Sequence, residues 1–336
     1  MKISVDELKE LTVTAIKNFG YDDGDTGIIS EVLLYAQLRG NNQGIAKLIG
    51  KGIPINPDAV PISIAKETPI SATLDGGQNH SMVVLANAVE TAIEKAAESG
   101  FGIVGTFNTS TSSGAIGYFA ERIASAGFIG HLYSSPPPRV CASGSYEPIF
   151  GTNPIAVGIP TANQPIVLDM STAAMSFYGL VEAKTAGREI PGDVAYDGEG
   201  NLTTSPEKAI AGGALRSFDR GSKGSGLALL TEIMAGPLVG ASFAGIGKRN
   251  NWGHLVYAFD PGLLGEREDF LQNVTALVEK LKSSKRLPGV EELYYPGERG
   301  RTVTAKHIQS NQIEVEENLL AGLRAAAAST PSEHTP

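Results

Sequence analysis

The chain is short of several residue types that define whole classes of protein. Its 336 residues contain a single cysteine, Cys141, so no internal disulfide and no cysteine-based metal cluster can form. The five histidines are too far apart in the sequence for a zinc motif. No G-x-S-x-G elbow is present, which argues against a serine hydrolase. These absences leave few routes to metal-dependent or nucleophilic chemistry.

Clustered positive charge and long apolar runs are also missing. The net charge is −9, and no block of Lys or Arg stands out, so the sequence predicts no nucleic-acid partner. No apolar run approaches a membrane span, and the stretch from Met1 to Leu11 has no apolar region typical of a secretory signal. We therefore predict a cytoplasmic protein that does not bind membranes.

Two short apolar runs in the middle of the chain carry the most informative pattern. Pro154–Ile159 and Pro165–Asp169 are rich in Ile and Val and predict two buried strands with a tight connection. They are flanked by Gly-Thr-Asn-Pro at 151–154 and by Val-Leu-Asp-Met-Ser at 167–171. The two polar motifs indicate either ligand-binding backbone or ordinary turn chemistry.

A glycine-rich turn is a second candidate site. The sequence Gly-Ser-Lys-Gly-Ser-Gly at 221–226 precedes an apolar helix. Free backbone N–H groups at such a helix start, together with Lys223, favour a phosphate or pyrophosphate site. The turn has neither P-loop nor G-x-G-x-x-G spacing, so a plain flexible turn is the alternative.

The alternation of helices and short strands predicts an α/β fold. Strands joined as closely as the central pair favour antiparallel pairing, so we expect a mixed sheet.

In this order, the motifs resemble the malate/L-lactate dehydrogenase family of the second type. The matching segments are the Gly40/Gly44 loop, Asn108–Tyr118, Gly151–Pro154, Val167–Ser171, Asp197–Thr204, Ser222–Gly226 and Pro296–Glu298. The resemblance implies a non-Rossmann fold with a mixed, largely antiparallel sheet, and helical N- and C-terminal parts that pack together. It implies a helical part at 1–70, a central cofactor and substrate domain at 71–262, a second helical part at 263–330 and a disordered tail at 331–336.

The same resemblance implies an NAD(P)-dependent oxidoreductase that forms a homodimer and uses NADPH or NADH. The residues that it assigns to the cofactor are Val167, Leu168, Asp169, Met170, Ser171, Thr172, Ala173, Ser222, Lys223, Pro296, Gly297 and Glu298. Lys47, Thr152 and Asn153 are expected to bind the substrate, and Gln43, Lys47 and Thr111 form the expected catalytic group.

Two histidines of the family pattern have no counterpart here. The family loop ends in Ser-His-Gly, whereas this chain has Asn42-Gln43-Gly44, and the second family histidine falls on Thr111. Hydride addition to a ketone builds an alkoxide that needs a proton donor. Neither Gln43 nor Thr111 can supply a proton at neutral pH. The substrate can therefore be an imine that enters already protonated, another donor such as Lys47 or water can act, or the protein binds a cofactor without turnover. The sequence favours a reductase of a small 2-imino or 2-oxo acid, and malate/lactate-type oxidation with another donor is the alternative.

Overall fold

The computed structural model describes residues 1–41, 43–49, 52–248 and 250–329. Asn42 and the predicted tail at 331–336 lie outside the described residues. Ten α-helices are found within the described ranges: α1 (Val5–Asn18), α2 (Asp23–Leu38), α3 (Ser81–Ser99), α4 (Gly117–Ser125), α5 (Phe177–Thr185), α6 (Pro206–Ile210), α7 (Ser222–Ala235), α8 (Arg267–Lys282), α9 (Glu298–Ser310) and α10 (Glu317–Ala328).

Thirteen strands accompany these helices in the same part of the chain. They are β1 (Lys2–Ile3), β2 (Ser63–Thr68), β3 (Ser71–Asp75), β4 (Phe101–Thr109), β5 (Ile129–Ser135), β6 (Val140–Cys141), β7 (Pro148–Phe150), β8 (Ile155–Ile159), β9 (Ile166–Met170), β10 (Ala195–Tyr196), β11 (Ala214–Leu215), β12 (Trp252–Phe259) and β13 (Ile313–Glu314). Short 3₁₀ turns cover Ile45–Leu48, Pro237–Val239 and Pro261–Leu263.

The main sheet has seven strands in the order β2-β3-β4-β12-β5-β8-β9. Within it, only the β3–β4 pair is parallel. The prediction of a mixed, largely antiparallel sheet is confirmed. The two predicted central strands are β8 and β9, which pair antiparallel with Ala156 opposite Asp169.

The edge position of β9 leaves one side of its backbone free for other segments. Val167 uses that side to donate a hydrogen bond to the carbonyl of Pro296, at an N···O distance of 3.1 Å. The turn before α9 therefore borders the edge strand, although about 130 residues separate the two in the sequence.

The largest core joins the terminal helices to the sheet. Its buried apolar residues include Leu8 and Ile16 of α1, Val256 of β12 and Leu323 of α10. Asn18 Nδ2 donates to the carbonyl oxygens of Ala326 and Ala327 at 3.2 and 3.0 Å. The N- and C-terminal helices thus pack together, as the resemblance implied. The domain boundaries at 70 and 262 remain a prediction.

A second apolar core lies under the four-stranded sheet β10-β11-β6-β7. Helices α5, α6 and α7 contribute to it through residues such as Leu180, Ala209 and Ala228. The glycines at the start of α7 have a packing role here. A Cβ on Gly224 would lie 2.4 Å from Asp219 Oδ1 and 3.0 Å from the Ser217 side chain, so glycine lets α7 begin against the 217–219 segment.

Among the helices that the described ranges contain, none is long and apolar enough to cross a membrane.

Candidate active site

A cavity of about 460 Å³ lies between Asn41 and Gln43, the 112–115 segment before α4, the 151–154 turn and the start of α5. The residues that line it are Asn41, Gln43, Ser112, Ser113, Gly114, Ala115, Pro136, Pro137, Arg139, Thr152, Pro154, Asp169, Ser171, Ser176, Phe177, Tyr178 and Trp252. Its volume suits a small ligand. Four predicted site residues, Gln43, Thr152, Asp169 and Ser171, therefore share one cavity although they come from separate parts of the sequence.

Lys47 lies directly behind this wall, held by three groups that line the cavity. Its ammonium donates to Gln43 Oε1 at 2.7 Å and to Ser112 Oγ at 2.9 Å. It also lies 3.4 Å from the centre of the Tyr178 ring, a distance at which a cation and an aromatic face attract each other. Gln43 and Lys47, both expected in the catalytic group, are therefore in direct contact, and Lys47 itself is not in the wall.

The charge of Lys47 has no anionic partner within the described residues. The side chain is only 2% exposed, and none of the ion pairs found there involves it. Burial lowers the pKa of Lys47 well below its ordinary value. A buried cation without a counter-ion destabilises the fold, and an anion entering the cavity would relieve that cost.

Thr111, the other predicted catalytic residue, does not line the cavity. Its backbone has a φ of 65°, which is unfavourable for a β-branched residue. Its hydroxyl is buried without a hydrogen-bond partner. The next residue, Ser112, reaches the wall and contacts Lys47, so the strained turn at 111 serves to present Ser112.

The two predicted substrate residues of the 151–154 turn, Thr152 and Asn153, lie in different environments. Thr152 lines the cavity, whereas the Asn153 side chain is fully buried. Asn153 Nδ2 donates to Glu232 Oε2 at 2.6 Å and to the Ala228 carbonyl at 2.9 Å, both on α7. The side chain of Asn153 therefore ties the turn to α7, and its substrate role remains a prediction.

Asp169 stands on the edge strand with its side chain bordering the cavity. Oδ2 accepts a hydrogen bond from the Gly117 N–H, the first residue of α4, at 2.9 Å. A Cβ on Gly117 would lie 2.8 Å from both Cβ and Oδ2 of Asp169, so this close approach requires glycine. The Asp169 side chain is exposed and faces the open cavity. Desolvation by the protein around it still raises the pKa of its carboxyl group to about 6, against a smaller lowering by the Gly117 bond.

The three segments that the resemblance assigns to the cofactor meet along β9. At one end, the Val167 N–H donates a hydrogen bond to the Pro296 carbonyl. Gly297 adopts a φ of +88°, and a Cβ on it would lie 3.1 Å from the Val167 carbonyl oxygen. Glu298 anchors this turn by accepting from Lys282 at 2.7 Å and from the Tyr295 N–H at 3.2 Å. Leu168 lies in the middle of the strand and Met170 is its last residue.

At the other end of β9, the chain leads to the start of α7. Thr172 accepts from the Phe218 N–H at 2.9 Å, and Ala173 forms a bridge with Ser217. Ser217 in turn donates to the carbonyl of Gly221, the residue before α7. Ser222 and Lys223 are exposed there, while Ser171 faces the cavity and donates to the Thr152 carbonyl.

This arrangement fits a nicotinamide dinucleotide. The Asp219 carboxylate accepts from the Gly221 and Gly224 N–H groups at the N-terminus of the 14-residue helix α7, so the backbone donors left there for a phosphate are those of the exposed Ser222 and Lys223. Near the opposite end of β9, Arg301 Nη1 and Nη2 are buried without a hydrogen-bond partner, and Nη1 lies 3.1 Å from the Cβ position of Gly297. Donors for anionic groups therefore flank the strand at both ends. A bound nicotinamide would supply or accept the hydride.

Two of the described histidines, His80 and His254, take structural positions. His80 and His254 are buried, and burial lowers the pKa of each to about 3; for His80 the nearby Lys47 adds to the effect. His80 caps α3 by accepting from the Met82 N–H, and His254 hydrogen-bonds Thr106. No histidine lines the cavity in the described chain, and no metal-binding cluster is found there.

Sequence reasoning missed several residues of the cavity wall. Ser112 stands in the matching segment Asn108–Tyr118 but was given no role, Tyr178 and Arg139 belong to none of the matching segments, and each reaches the cavity through tertiary packing. Arg139 stacks on Phe177 at 4.4 Å and also lines an adjoining cavity of about 410 Å³. The polar Ser-Thr-Ser-Ser run at 110–113 was the one local signal that could have indicated Ser112.

Comparisons with known proteins agree with this geometry. The model of the malate/L-lactate dehydrogenase family matches residues 3–324. The L-sulfolactate dehydrogenase of Methanothermobacter thermautotrophicus is 34% identical over 334 residues, covering 95% of this chain and 94% of that protein.

Solved structures show the same fold over nearly the whole chain. The malate dehydrogenase of Pyrococcus horikoshii superimposes with a TM-score of 0.84 at 29% identity, covering 97% of this chain and 95% of that one. The delta1-piperideine-2-carboxylate reductase of Pseudomonas syringae gives a TM-score of 0.80 at 26% identity, covering 97% and 99%. The set thus includes proteins named for 2-hydroxy acids and one named for a cyclic imine.

Proposed function

Since the chain belongs to the malate/L-lactate dehydrogenase family and is an NAD(P)-dependent oxidoreductase, we propose that it reduces C2 of a small 2-oxo or 2-imino acid. The observation that carries this proposal is the buried Lys47 ammonium behind the cavity wall, which has no anionic partner among the described residues. The C1 carboxylate of the substrate binds at the Gln43 and Ser112 side of the cavity, where Lys47 supplies positive charge in a region of low dielectric. Thr152 closes the opposite wall.

The three segments along β9 hold the dinucleotide. Val167–Ala173 lies beside it, Ser222 and Lys223 bind phosphate at the start of α7, and Pro296–Glu298 forms the far end. The reacting half of the cofactor enters the cavity between Asp169 and Ser171. NADPH and NADH are both compatible with this arrangement.

The reacting bond is either C=N or C=O. An imine substrate follows from the absence of histidine in the described cavity wall, because an iminium enters already protonated. A 2-oxo acid with a second acidic group is favoured by Arg139, whose guanidinium borders the cavity and has no acidic partner among the described residues.

A substrate panel tests the function and separates the two forms. NADH and NADPH are each titrated by fluorescence, and the tighter one is run against cyclic imines, keto acids with amines, pyruvate, oxaloacetate and sulfopyruvate. An imine reductase turns over plain keto acids far more slowly than cyclic imines. A diacid reductase prefers oxaloacetate or sulfopyruvate, and Arg139→Met raises KM for these about 10-fold or more while leaving pyruvate unchanged. Cofactor binding without oxidation by any substrate would contradict the proposed activity.

We also propose that the protein is a homodimer that uses the outer face of α7. Leu229, Leu230 and Ile233 are 48%, 58% and 44% exposed, an apolar patch typical of a subunit interface. Leu230→Glu should convert the dimer to a monomer in sedimentation velocity, because it places a charge in that contact. Leu264→Glu, which changes an 88% exposed residue elsewhere, is the control. If Leu230→Glu leaves the dimer intact and Leu264→Glu dissociates it, the interface lies around Leu264 and not on the outer face of α7.

A further inference from the structure

Reduction of a ketone in this cavity needs an acid, and the described wall offers few. Its titratable side chains are Arg139, Asp169 and Tyr178. A guanidinium does not release its proton in proteins. Burial raises the pKa of Tyr178, which makes the phenol a still weaker acid. Asp169 is the one carboxyl group among the residues described as lining the cavity.

The position of Asp169 is fixed from two sides. Its backbone is held in the β8–β9 ladder opposite Ala156, and Oδ2 is held by the Gly117 N–H at the start of α4. Oδ1 has no hydrogen-bond partner within the described chain, so a substrate atom in the cavity can approach it. The missing Cβ of Gly117 is what permits this arrangement.

The charged and titratable groups on the surrounding elements leave Asp169 without a neutralising cation. Tyr35 of α2 is close enough for Asp169 to raise its pKa, and Tyr35 is backed by the Arg39–Glu121 ion pair between α2 and α4. Arg139 borders the cavity, and Lys47 lies behind its wall, in contact with Gln43, Ser112 and Tyr178. None of these cations appreciably lowers the pKa of Asp169, whose value of about 6 follows from desolvation. Roughly one carboxyl in ten is then protonated at pH 7, and a substrate carboxylate bound nearby increases that share.

We infer that Asp169 is the catalytic acid of the reaction that we propose for this site, and the base of its reverse. When C2 of the substrate gains a hydride, the electron pair of its C=O or C=N bond moves onto the heteroatom. The heteroatom takes the proton of the Asp169 carboxyl group, which becomes a carboxylate and is reprotonated by water. In the oxidative direction the carboxylate takes the hydroxyl or amine proton as the hydride leaves C2.

The first test measures the carboxyl group itself, without cofactor or turnover. In protein labelled with ¹³C at the aspartate carboxyl carbon, one signal should titrate near pH 6 and disappear in Asp169→Asn. Asp58→Asn, in an exposed loop, is the control and should leave that signal in place. An Asp169 signal that titrates near pH 4 would overturn the inference.

The second test separates acid catalysis from cofactor binding. Asp169→Asn should lower kcat for ketone reduction by about 10²- to 10⁴-fold while changing the dissociation constant of the reduced cofactor by less than about threefold. Wild-type kcat for reduction should fall as the pH rises through about 6, since the acid form is lost, and kcat for oxidation should rise over the same range. Both pH dependences should vanish in the variant.

Gly117→Ala provides an independent check, because its methyl group pushes against the Asp169 carboxyl group without removing it. It should lower kcat for ketones, and circular dichroism reports whether α4 stays folded. A preformed iminium substrate should be much less sensitive than a ketone to both variants.

The outcomes distinguish the inference from the proposed function. Absence of turnover by the wild-type protein with every substrate overturns both. An active wild-type enzyme whose Asp169→Asn variant keeps its kcat overturns only the role of Asp169. Loss of cofactor binding in that variant, with kcat unchanged at saturation, would make Asp169 a cofactor ligand instead.

Discussion

Lys47→Met is expected to raise KM for the acid substrate at least about 30-fold, the effect of removing roughly 2 kcal/mol from a buried charge pair. Met has a similar length and fills the space behind Gln43 and Ser112 without the charge. The dissociation constant of the reduced cofactor should stay within about twofold, because Lys47 contacts the Gln43, Ser112 and Tyr178 cluster and not β9. Steady-state kinetics and fluorescence titration measure the two quantities separately.

Lys223→Met is the matched control for this prediction. It removes the same charge from the exposed start of α7, where we expect phosphate contact. It should weaken cofactor binding and leave KM for the acid substrate nearly unchanged at saturating cofactor. If the two variants show the same pattern, Lys47 does not serve the substrate.

The stability of the Lys47→Met variant gives a further check with a defined sign. The pKa of Lys47 is lowered in the folded protein, so the unfolded chain binds more protons than the folded one between that lowered pKa and the ordinary value of about 10.5. Lys47 therefore destabilises the wild-type fold most at low pH, and the cost declines as the pH rises. Lys47→Met should be more stable than wild type near neutral pH, and its advantage should shrink toward pH 9. A variant that is less stable at every pH would contradict the absence of a counter-ion.

Glu232→Leu should lower the free energy of unfolding by about 3 kcal/mol or more. The Glu232 carboxylate is 4% exposed and accepts from Asn153 Nδ2 and from the Ala244 N–H at 2.6 and 2.7 Å. Leucine leaves these buried donors without an acceptor. Because Asn153 fixes the turn that presents Thr152, kcat/KM should fall as well.

The control for this variant is Glu199→Leu at an exposed turn, which should have little effect. Urea denaturation followed by tryptophan fluorescence measures both proteins. A Glu232→Leu variant as stable as wild type would mean that the 151–154 turn does not depend on its tie to α7.

The parts of the fold that the sequence predicted well are those with a local signal. The strands β8 and β9 are short apolar runs between turn residues, and α7 is an apolar helix after a glycine-rich turn. The bounds of β8 and β9 agree with the structure to within about one residue, whereas α7 begins at Ser222, inside the glycine-rich turn that was expected to precede the helix. Helix α9 was missed altogether: Glu298–Ser310 contains no buried residue, so its sequence lacks the apolar periodicity on which helix prediction depends.

The candidate site shows where local patterns stop being informative. Asn153 stands in a motif that suggested substrate contact, yet its partner Glu232 is 79 residues away. Asp169 was placed with the cofactor because of its motif, and its contact with Gly117 spans 52 residues. Such contacts depend on how α7 and α4 pack on the sheet. No short stretch of the sequence carries that information.

The most direct test of the account is a crystal structure with the reduced cofactor and oxamate, an unreactive isostere of a 2-oxo acid. The account predicts the dinucleotide along β9, between the start of α7 and the 296–298 turn. It places the oxamate carboxylate within hydrogen-bond distance of the Gln43 and Ser112 side chains, and the group at the reacting position within hydrogen-bond distance of Asp169. Oxamate bound outside this cavity, or held with its reacting group away from Asp169, would contradict the account.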